Sequence, residues 1–291
     1  MLVSSALITG FGLGSMYGLL ALGYHVTHVV SHTVNFALGS TMMLGAVLCF
    51  SLNVTFGWPI WAAVPAALGL CAFWGIAVEQ IAVRPFVQRG SSSWLMATVA
   101  LGIVLENIVL FTFGKDPRGM PPSVLTSNSV AIGALKIEIL QLLIPMVGLA
   151  LALGLHLFCQ HTRIGKALLA VVQNTRAARL MGIDVERMVT LAYALSGLLA
   201  GVCGIMVAPL FSISSTMGTL FGIKAFAVAI LGGINNPWGV VAAGLLYGIS
   251  EALVTSMLGS IFTQIVSFGL VILTLFVLPN GLFGKAEARK I

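Results

Sequence analysis

Charged side chains are scarce in this sequence: only 8% of its 291 residues are Asp, Glu, Lys or Arg, against about 25% in a typical soluble domain. Fourteen basic and eight acidic residues cannot cover the surface of a soluble globule of this size, so an ordinary soluble fold is excluded. Apolar residues make up 59% of the chain, and its mean hydropathy is +1.08. Because about 20 apolar residues form a helix that crosses a bilayer, the composition predicts an all-α, polytopic transmembrane bundle of about 8–10 helices.

Several signatures of other protein classes are also absent. The sequence has no G-x-x-x-x-G-K-[ST] loop and no room for a soluble catalytic domain, so the chain is not expected to bind and hydrolyse ATP in that manner. Its four cysteines are dispersed in or beside apolar segments, which favours buried thiols over a disulfide or metal framework. The net charge of +6 resides in short loops and does not indicate nucleic-acid binding. No basic region precedes the first apolar run, so residues 2–30 are interpreted as a true span rather than a signal peptide.

Nine apolar runs divide the chain, at residues 2–30, 34–52, 58–83, 94–113, 137–159, 189–211, 220–233, 238–258 and 261–279. Cytoplasmic loops collect Lys and Arg, and most of the basic residues cluster after the third run, after the fifth run and at the end of the chain: Arg84, Arg89, Arg163, Lys166, Arg176, Arg179, Arg187, Lys285, Arg289 and Lys290. This distribution predicts an outside N-terminus and an inside C-terminus, with nine crossings if the short run 220–233 spans the membrane.

Two polar, glycine-containing segments interrupt this pattern. We call residues 31–40 (SHTVNFALGS) the first break and residues 231–239 (LGGINNPWG) the second break. Broken helices at corresponding places in two halves of a chain are typical of a transporter's binding pathway. Ordinary extramembrane turns are the alternative interpretation. The hypothesis predicts discontinuous helices, with Asn35, Phe36, Ser40, Asn235 and Asn236 lining or supporting a substrate pathway.

Regular spacing marks two further groups of residues, one in the first run and one that continues from it into the first break. Gly10, Gly14 and Gly18 recur every four residues, a pattern typical of close helix packing. His25, His28 and His32 share one face of a continuous helix. A metal site, a polar face on the pathway and simple packing are all open interpretations of these histidines, but no further metal ligand lies nearby in the sequence.

Three ionisable residues lie within apolar runs: Glu106, Lys224 and Glu251. An ionised side chain at the centre of a bilayer costs roughly 2.5–3.5 kcal/mol on insertion scales, so such residues usually face protein or water. We expect Lys224 to lie on the pathway. For the two acids, a place on the pathway and structural pairing with another helix remain equal alternatives.

Residues 162–187 (TRIGKALLAVVQNTRAARLMGIDVER), which we call the coupling segment, form the longest basic connection. Asn174 suits a helix N-cap, and Gly182 suits the position just after the C-terminus of that helix. Ala177 and Ala178 would permit close approach of another backbone, with Arg176 and Arg179 on either side. The segment therefore predicts a docking element for a soluble protein, and a solvated loop is the alternative.

The order of these motifs resembles the integral membrane subunits of branched-chain amino acid ABC importers over nearly the whole chain. The first break is similar to that family's N-F-A-H-G-E element, and Glu79 with Arg84-Pro85 matches its E-x-x-x-x-R-P motif. The coupling segment, Lys224-Ala225-Phe226, the stretch from Leu231 to Leu253 and the terminal Pro279–Gly284 also match family motifs.

The resemblance implies one non-catalytic permease domain over residues 1–291, without cofactor or metal, in the inner membrane of a bacterial cell. Its implied partners are two ATP-binding cassette subunits, a second permease subunit (identical or homologous), a periplasmic or extracellular substrate-binding protein and the lipid bilayer. Residues Arg176, Ala177, Ala178, Arg179 and Gly182 would contact the ATPase. Glu79, Glu106 and Glu251 would be structural or pathway acids.

Two residues of the first break depart from the family element. Leu38 stands in place of its histidine and Ser40 in place of its glutamate. We therefore expect no carboxylate beside this break, and a site that accepts neutral or anionic cargo better than a bare cation. The cargo implied by the resemblance is a branched-chain or related amino acid; urea, an amide, a sulfonate or an aromatic acid is the alternative. An ion-coupled secondary transporter is the alternative class.

Overall fold

The protein is described from a computed structural model, which covers residues 2–121, 129–132, 135–278 and 281–284. The first part of the chain contains α1 (Leu2–Ser31), α2 (Leu38–Phe50), α3 (Ile60–Val78), α4 (Arg84–Gln88) and α5 (Trp94–Phe113). Two π-helical segments continue α2 and α3, at Ser51–Thr55 and Glu79–Val83.

A short antiparallel hairpin follows, made of β1 (Ser129–Ile132) and β2 (Leu135–Glu138), with Ser129 opposite Glu138. The remaining helices are α6 (Ile139–His161), α7 (Arg163–Gln173), α8 (Thr175–Leu180), α9 (Val185–Val207), α10 (Met217–Gly232), α11 (Pro237–Leu258) and α12 (Ser260–Val277).

The predicted helical membrane bundle is confirmed, and each of the nine apolar runs coincides with a helix. In the described part of the chain, seven helices are long and apolar enough to cross a membrane, and Met217–Gly232 and Ser260–Thr274 are shorter apolar helices. Whether the run 220–233 spans the bilayer therefore stays a prediction, as does the orientation of the termini. Lys285, Arg289 and Lys290, together with Pro279 and Asn280 of the terminal motif, lie outside the described residues.

Two compact units make up the chain: Met1–His25, Pro122–Leu149 and Lys224–Ile291 form the first, and Val26–Pro121 with Ala150–Ile223 forms the second. In the first unit, the predicted role of the α1 glycines in packing is confirmed. An added Cβ at Gly14 would lie 2.7 Å from the carbonyl oxygen of Gly244, and one at Gly10 would lie 2.7 Å from Cα of Ile249. Gly248 likewise faces the backbone of Gly14. The backbones of α1 and α11 are thus in direct contact.

In the second unit, α9 packs against α2 and α3. Glycines permit this contact too, because an added Cβ at Gly45 of α2 would lie 2.7 Å from the carbonyl oxygen of Gly201. Gly75 of α3 and Gly197 of α9 meet in the same way. Close backbone approach at these glycines contributes to the packing of the three helices.

Candidate functional site

The first break includes a largely buried, non-helical stretch between α1 and α2, so the predicted interruption is present. The segments on either side are each long and apolar enough to be a separate span, so a discontinuous helix and an ordinary turn between two spans both stay predictions. Asn35 is fully buried. Its side-chain oxygen accepts a hydrogen bond from the backbone N–H of Ala37 at 3.1 Å, while its Nδ2 has no partner among the described residues. Phe36 is half-buried at the same turn. The Asn35 side chain therefore satisfies backbone that the interruption of the helix leaves free.

A carboxylate lies beside this break, although the sequence led us to expect none. Ser40 and Thr219 both donate hydrogen bonds to Oε1 of Glu106, at 3.2 and 2.5 Å. The expectation is wrong because it considered only the local motif, whereas α5 brings Glu106 to Ser40 through tertiary packing. Gly102, one turn earlier on α5, makes this approach possible, since an added Cβ there would lie 3.1 Å from Oγ of Ser40.

Ser40 and Thr219 are each the third residue of a helix, α2 and α10 respectively. The first turns of these helices touch at Gly39 and Gly218, where an added Cβ on Gly218 would lie 2.8 Å from the carbonyl carbon of Gly39. Two helix N-termini therefore lie next to Glu106, and their partial positive charge stabilises a negative charge there. Nothing in the sequence pairs Thr219 with this site, and the contact is visible only in the fold.

The second break lies between α10 and α11, where Gly233 takes a φ of 82°. Asn236 is the N-cap of α11: its Oδ1 accepts from the N–H of Gly239 at 3.2 Å, and its Nδ2 donates to the carbonyl of Phe283. Asn235 is exposed. The predicted interruption is present between α10 and α11, and its depth in the membrane stays a prediction. Asn236 holds its geometry, and the ring of His25 hydrogen-bonds the free carbonyl of Ile234 at 2.6 Å.

Lys224 and Glu251 form an ion pair in the first unit. Nζ of Lys224 lies 2.5 Å from Oε1 of Glu251, and both side chains are largely buried. Lys224 also lies 3.4 Å from the hydroxyl of Tyr17, whose ring meets the ring of Tyr247 edge to face. For Glu251 the structure thus favours structural pairing. Lys224 remains a candidate for the pathway, with its charge already matched.

Glu79 and Arg84 form a second ion pair, in the second unit. Nε and Nη2 of Arg84 donate to the two carboxylate oxygens of Glu79 at 3.0 and 3.3 Å. On α9, Thr190 donates to Glu79 at 3.0 Å and accepts from Arg84 at 2.9 Å, and Glu186 lies 3.7 Å from Arg84. Residues five apart do not share a face of an α-helix, but the π-helical segment Glu79–Val83 brings them together.

One face of α9 joins several of these features, because Glu186, Thr190, Tyr193 and Gly197 follow one another at helical spacing. Tyr193 is buried and hydrogen-bonds Thr33 of the first break at 2.7 Å. Neither Tyr193 nor Thr190 is among the site residues predicted from the sequence. Polar side chains at this spacing within an apolar run are the signal that could have revealed them.

The coupling segment folds as α7, α8 and the start of α9. Asn174 caps α8 as predicted, accepting from the N–H of Ala177 at 3.0 Å, and Gly182 follows the helix with a φ of 83°. Ala177 is exposed, whereas Ala178 is buried in a core cluster with Val185. Ala178 therefore anchors α8 to the protein itself.

The basic and apolar side chains of α8 form an exposed surface. Arg176 and Arg179 line, with Thr175 and Leu180, a groove of about 370 Å³. Leu180 and the adjacent Met181 are 89% and 83% exposed. Large apolar side chains this open to solvent, beside two arginines, form a surface suited to a protein partner.

His25, His28 and His32 do not form one group. The His25 ring is bonded to the second break, whereas the rings of His28 and His32 lie 6.3 Å apart, edge to face. Within the residues that the structure covers, no three His, Cys, Asp or Glu side chains are grouped as metal ligands.

Comparison with known proteins places this architecture in a family. The family model described as "Branched-chain amino acid transport system / permease component" matches residues 6–275. The chain belongs to this family. Among curated relatives of this permease, the high-affinity branched-chain amino acid transport system permease protein LivH of Escherichia coli is 30% identical over 98% of this chain and 96% of its own length. BraD of Pseudomonas aeruginosa, with the same description, is 30% identical over 98% and 97%.

More distant similarities extend to other permeases and to a solved structure. The autoinducer 2 import system permease protein LsrC of an Enterobacter species is 30% identical over 90% of this permease and 69% of its own length. A chain of PsaBC from Streptococcus pneumoniae, solved in complex with a Fab, superimposes with a TM-score of 0.52 over 96% of this chain and 93% of that chain. Its 15% identity supports the fold alone.

Proposed function

We propose that this permease is the membrane subunit of an ATP-driven importer of a branched-chain or related amino acid, without catalytic groups of its own. Relatives that match nearly the whole chain carry this transport activity in their names. Two ATP-binding cassette subunits, a second permease subunit and an external substrate-binding protein complete the assembly in the inner membrane of a bacterial cell. The N-terminus lies outside and the C-terminus inside.

One observation carries the proposal: an exposed helix, α8, is fixed to a long helix that contacts the first break. The backbone N–H of Ile183 donates to the carbonyl of Ala178 at 3.0 Å, and Ala178 and Val185 share one core cluster. A force applied by an ATPase to Arg176, Ala177, Arg179 and the turn at Gly182 would therefore move α9 directly.

From α9 the movement has two routes to other helices of the second unit. Thr190 is bonded to the Glu79–Arg84 pair at the end of α3, and Tyr193 is bonded to Thr33 of the first break. An ATPase that closes on ATP would thus bias the pathway between two states, because its contacts with α8 differ in the two states. Glu79 has a structural role in this scheme.

The pathway itself is proposed to pass the first break, where Asn35, Phe36 and Ser40 lie. At the second break, in the first unit, the proposal keeps Asn235 as a lining residue and Asn236 as the cap that supports it. Non-helical backbone at membrane depth is tolerated only where protein or a water-filled cavity surrounds it, and this physical requirement favours both segments over lipid-facing positions.

Reconstitution tests the function. The permease is expressed with the ATPase, second-permease and binding-protein genes adjacent to its own gene, purified through a tag on this chain, and placed in proteoliposomes. We expect the ATPase to co-purify with the permease. Radiolabelled leucine, isoleucine or valine should be transported only when ATP is present on the side of the membrane where the ATPase is bound. Failure to recruit an ATPase contradicts the proposal. Uptake driven by an ion gradient without ATP would instead support a secondary transporter.

The binding protein distinguishes the cargo alternatives. Its bound ligand, released by denaturation and identified by mass spectrometry, should be a branched-chain amino acid. Urea, an amide, a sulfonate or an aromatic acid in its place would retain the importer class and change the substrate.

A further inference from the structure

Glu106 is an acid within a membrane-spanning helix that no described basic residue neutralises. It is the thirteenth of the 20 residues of α5, so it lies about 18 Å from one end of the helix and about 10 Å from the other. The ion pairs within the described ranges involve Glu79, Asp184, Glu186 and Glu251. Glu106 thus differs from the other intramembrane acids, Glu79 and Glu251, each of which has a basic partner.

The hydrogen bonds of Glu106 leave one half of its carboxylate open. Ser40 and Thr219 both donate to Oε1, and no described group donates to Oε2. The side chain is half-buried, and Oε2 is the oxygen that its described hydrogen bonds leave available. Acids in membrane spans almost always face protein or water, and they mark substrate or ion pathways.

We propose that Glu106 is the subsite that receives the ammonium group of a zwitterionic amino acid during transport, an inference that rests on the proposed function. A carboxylate oxygen with a free lone pair forms a charge-assisted hydrogen bond with an N–H donor. The hydroxyls of Ser40 and Thr219 hold the carboxylate in one orientation. They connect it to the first turns of α2 and α10, the two helices that begin beside it.

The geometry also accounts for the departure of this sequence from the family element. Ser40 stands where the family element has a glutamate, and Oγ of Ser40 lies only 3.2 Å from Oε1 of Glu106. A carboxylate supplied from α5 therefore occupies nearly the place that a carboxylate at position 40 would reach. The negative charge is retained at the first break, and the residue that carries it has changed.

The test removes the carboxylate from position 106 and then supplies one at position 40. Glu106→Gln keeps a side-chain oxygen that accepts from Ser40 and Thr219, so it removes the charge and preserves the local bonds. We expect amino-acid uptake by the reconstituted importer to fall about tenfold or more, since a hydrogen bond to a charged group is lost. Assembly with the partner subunits should be unchanged. The double variant Ser40→Glu with Glu106→Gln should recover uptake to within about threefold of wild type, a residual difference of less than 1 kcal/mol.

Asn107→Ala is the matched control. Asn107 is the exposed neighbour of Glu106, and its amide is bonded to the carbonyl of Ile103 on its own helix at 2.8 Å. This variant should transport at the wild-type rate, so a loss specific to position 106 supports the subsite.

Each contrary outcome has a separate meaning. Wild-type uptake by Glu106→Gln, or a double variant no better than that single variant, overturns the subsite. Loss of co-purification in Glu106→Gln overturns it as well, because the carboxylate would then bind a partner subunit. If wild-type uptake collapses when N-methylglucamine replaces sodium and potassium, Glu106 takes an inorganic cation and the inference is wrong. A wild-type complex that transports no amino acid refutes the proposed function instead.

Discussion

The Glu79–Arg84 pair gives a quantitative test of the structure, because one partner is buried and the other is partly open. The carboxylate of Glu79 is 2% exposed, and the side chain of Arg84 is 32% exposed. Arg84→Met leaves the buried carboxylate with Thr190 as its remaining described donor. Removing one member of a buried pair costs about 3–5 kcal/mol, and the partial exposure of Arg84 favours the lower end, about 3 kcal/mol.

Removing the carboxylate instead of the guanidinium should cost less free energy of unfolding. In Glu79→Gln, Arg84 keeps Thr190 and the solvent, so we expect about 1.5–2 kcal/mol for the lost charge-assisted bonds. The double variant leaves no buried charge unpaired, and its cost should be no more than that of Arg84→Met alone. The double-mutant cycle of Arg84→Met and Glu79→Gln should therefore give a coupling energy of at least about 1.5 kcal/mol, within the range for contacting residues.

Reversible unfolding of the purified permease in mixed detergent micelles measures these free energies. Arg187→Met is the control, because Arg187 and its partner Asp184 lie 2.8 Å apart with side chains 83% and 48% exposed. An exposed pair contributes about 0–1 kcal/mol, so this variant should barely change stability. If the effects of Arg84→Met and Glu79→Gln simply add, the two side chains are not coupled and the π-helical geometry is wrong.

Three further changes probe other contacts. Ala177→Trp places an indole on the exposed face of α8, so ATP hydrolysis should lose its stimulation by substrate while the subunit still folds; normal stimulation would remove α8 from the coupling route. Gly248→Leu should destabilise the protein by about 3 kcal/mol or more, because backbone already fills that space, whereas Gly154→Ala, with nothing within 4 Å, should be neutral or stabilising in the same unfolding assay. Tyr193→Phe removes the hydrogen bond to Thr33 and should lower the free energy of unfolding by about 1 kcal/mol. ATP-driven transport should fall by a larger fraction than stability does, and unchanged transport would contradict the route from α9 through Tyr193 to the first break.

The helices of this protein could be predicted from sequence because membrane insertion depends on length and apolarity, which are local quantities. The cap of α8 and the glycine after it follow from the same kind of local rule, since Asn174 and Gly182 act within their own turn. For helix packing, the sequence predicts which residues of one helix make a close contact but not which helix they contact. The spacing of the α1 glycines indicates a close contact, but it does not identify Gly244 and Gly248 as the partners.

The Glu79–Arg84 contact shows why a motif can be visible while its geometry is not. A separation of five residues places two side chains on different faces of an α-helix, and they meet here through π-helical hydrogen bonding. Arg84 donates its backbone N–H to the carbonyl of Glu79. Pro85 has no N–H to give, so one bond of the α-helical pattern is missing where the π-helical segment meets α4. The proline of the motif thus lies at the change of helical bonding that brings its two charged members together.

The first break illustrates how an inference from composition can reach the wrong charge. Ser40 at that position argues for neutral or anionic cargo if the break is considered alone. The fold adds the carboxylate of Glu106 beside Ser40, and the proposed subsite would use it to receive a cationic group of the cargo. The charge at such a site depends on the side chains that several helices bring to one place. A prediction of cargo from the ten residues of the break alone therefore leaves out a group that α5 supplies.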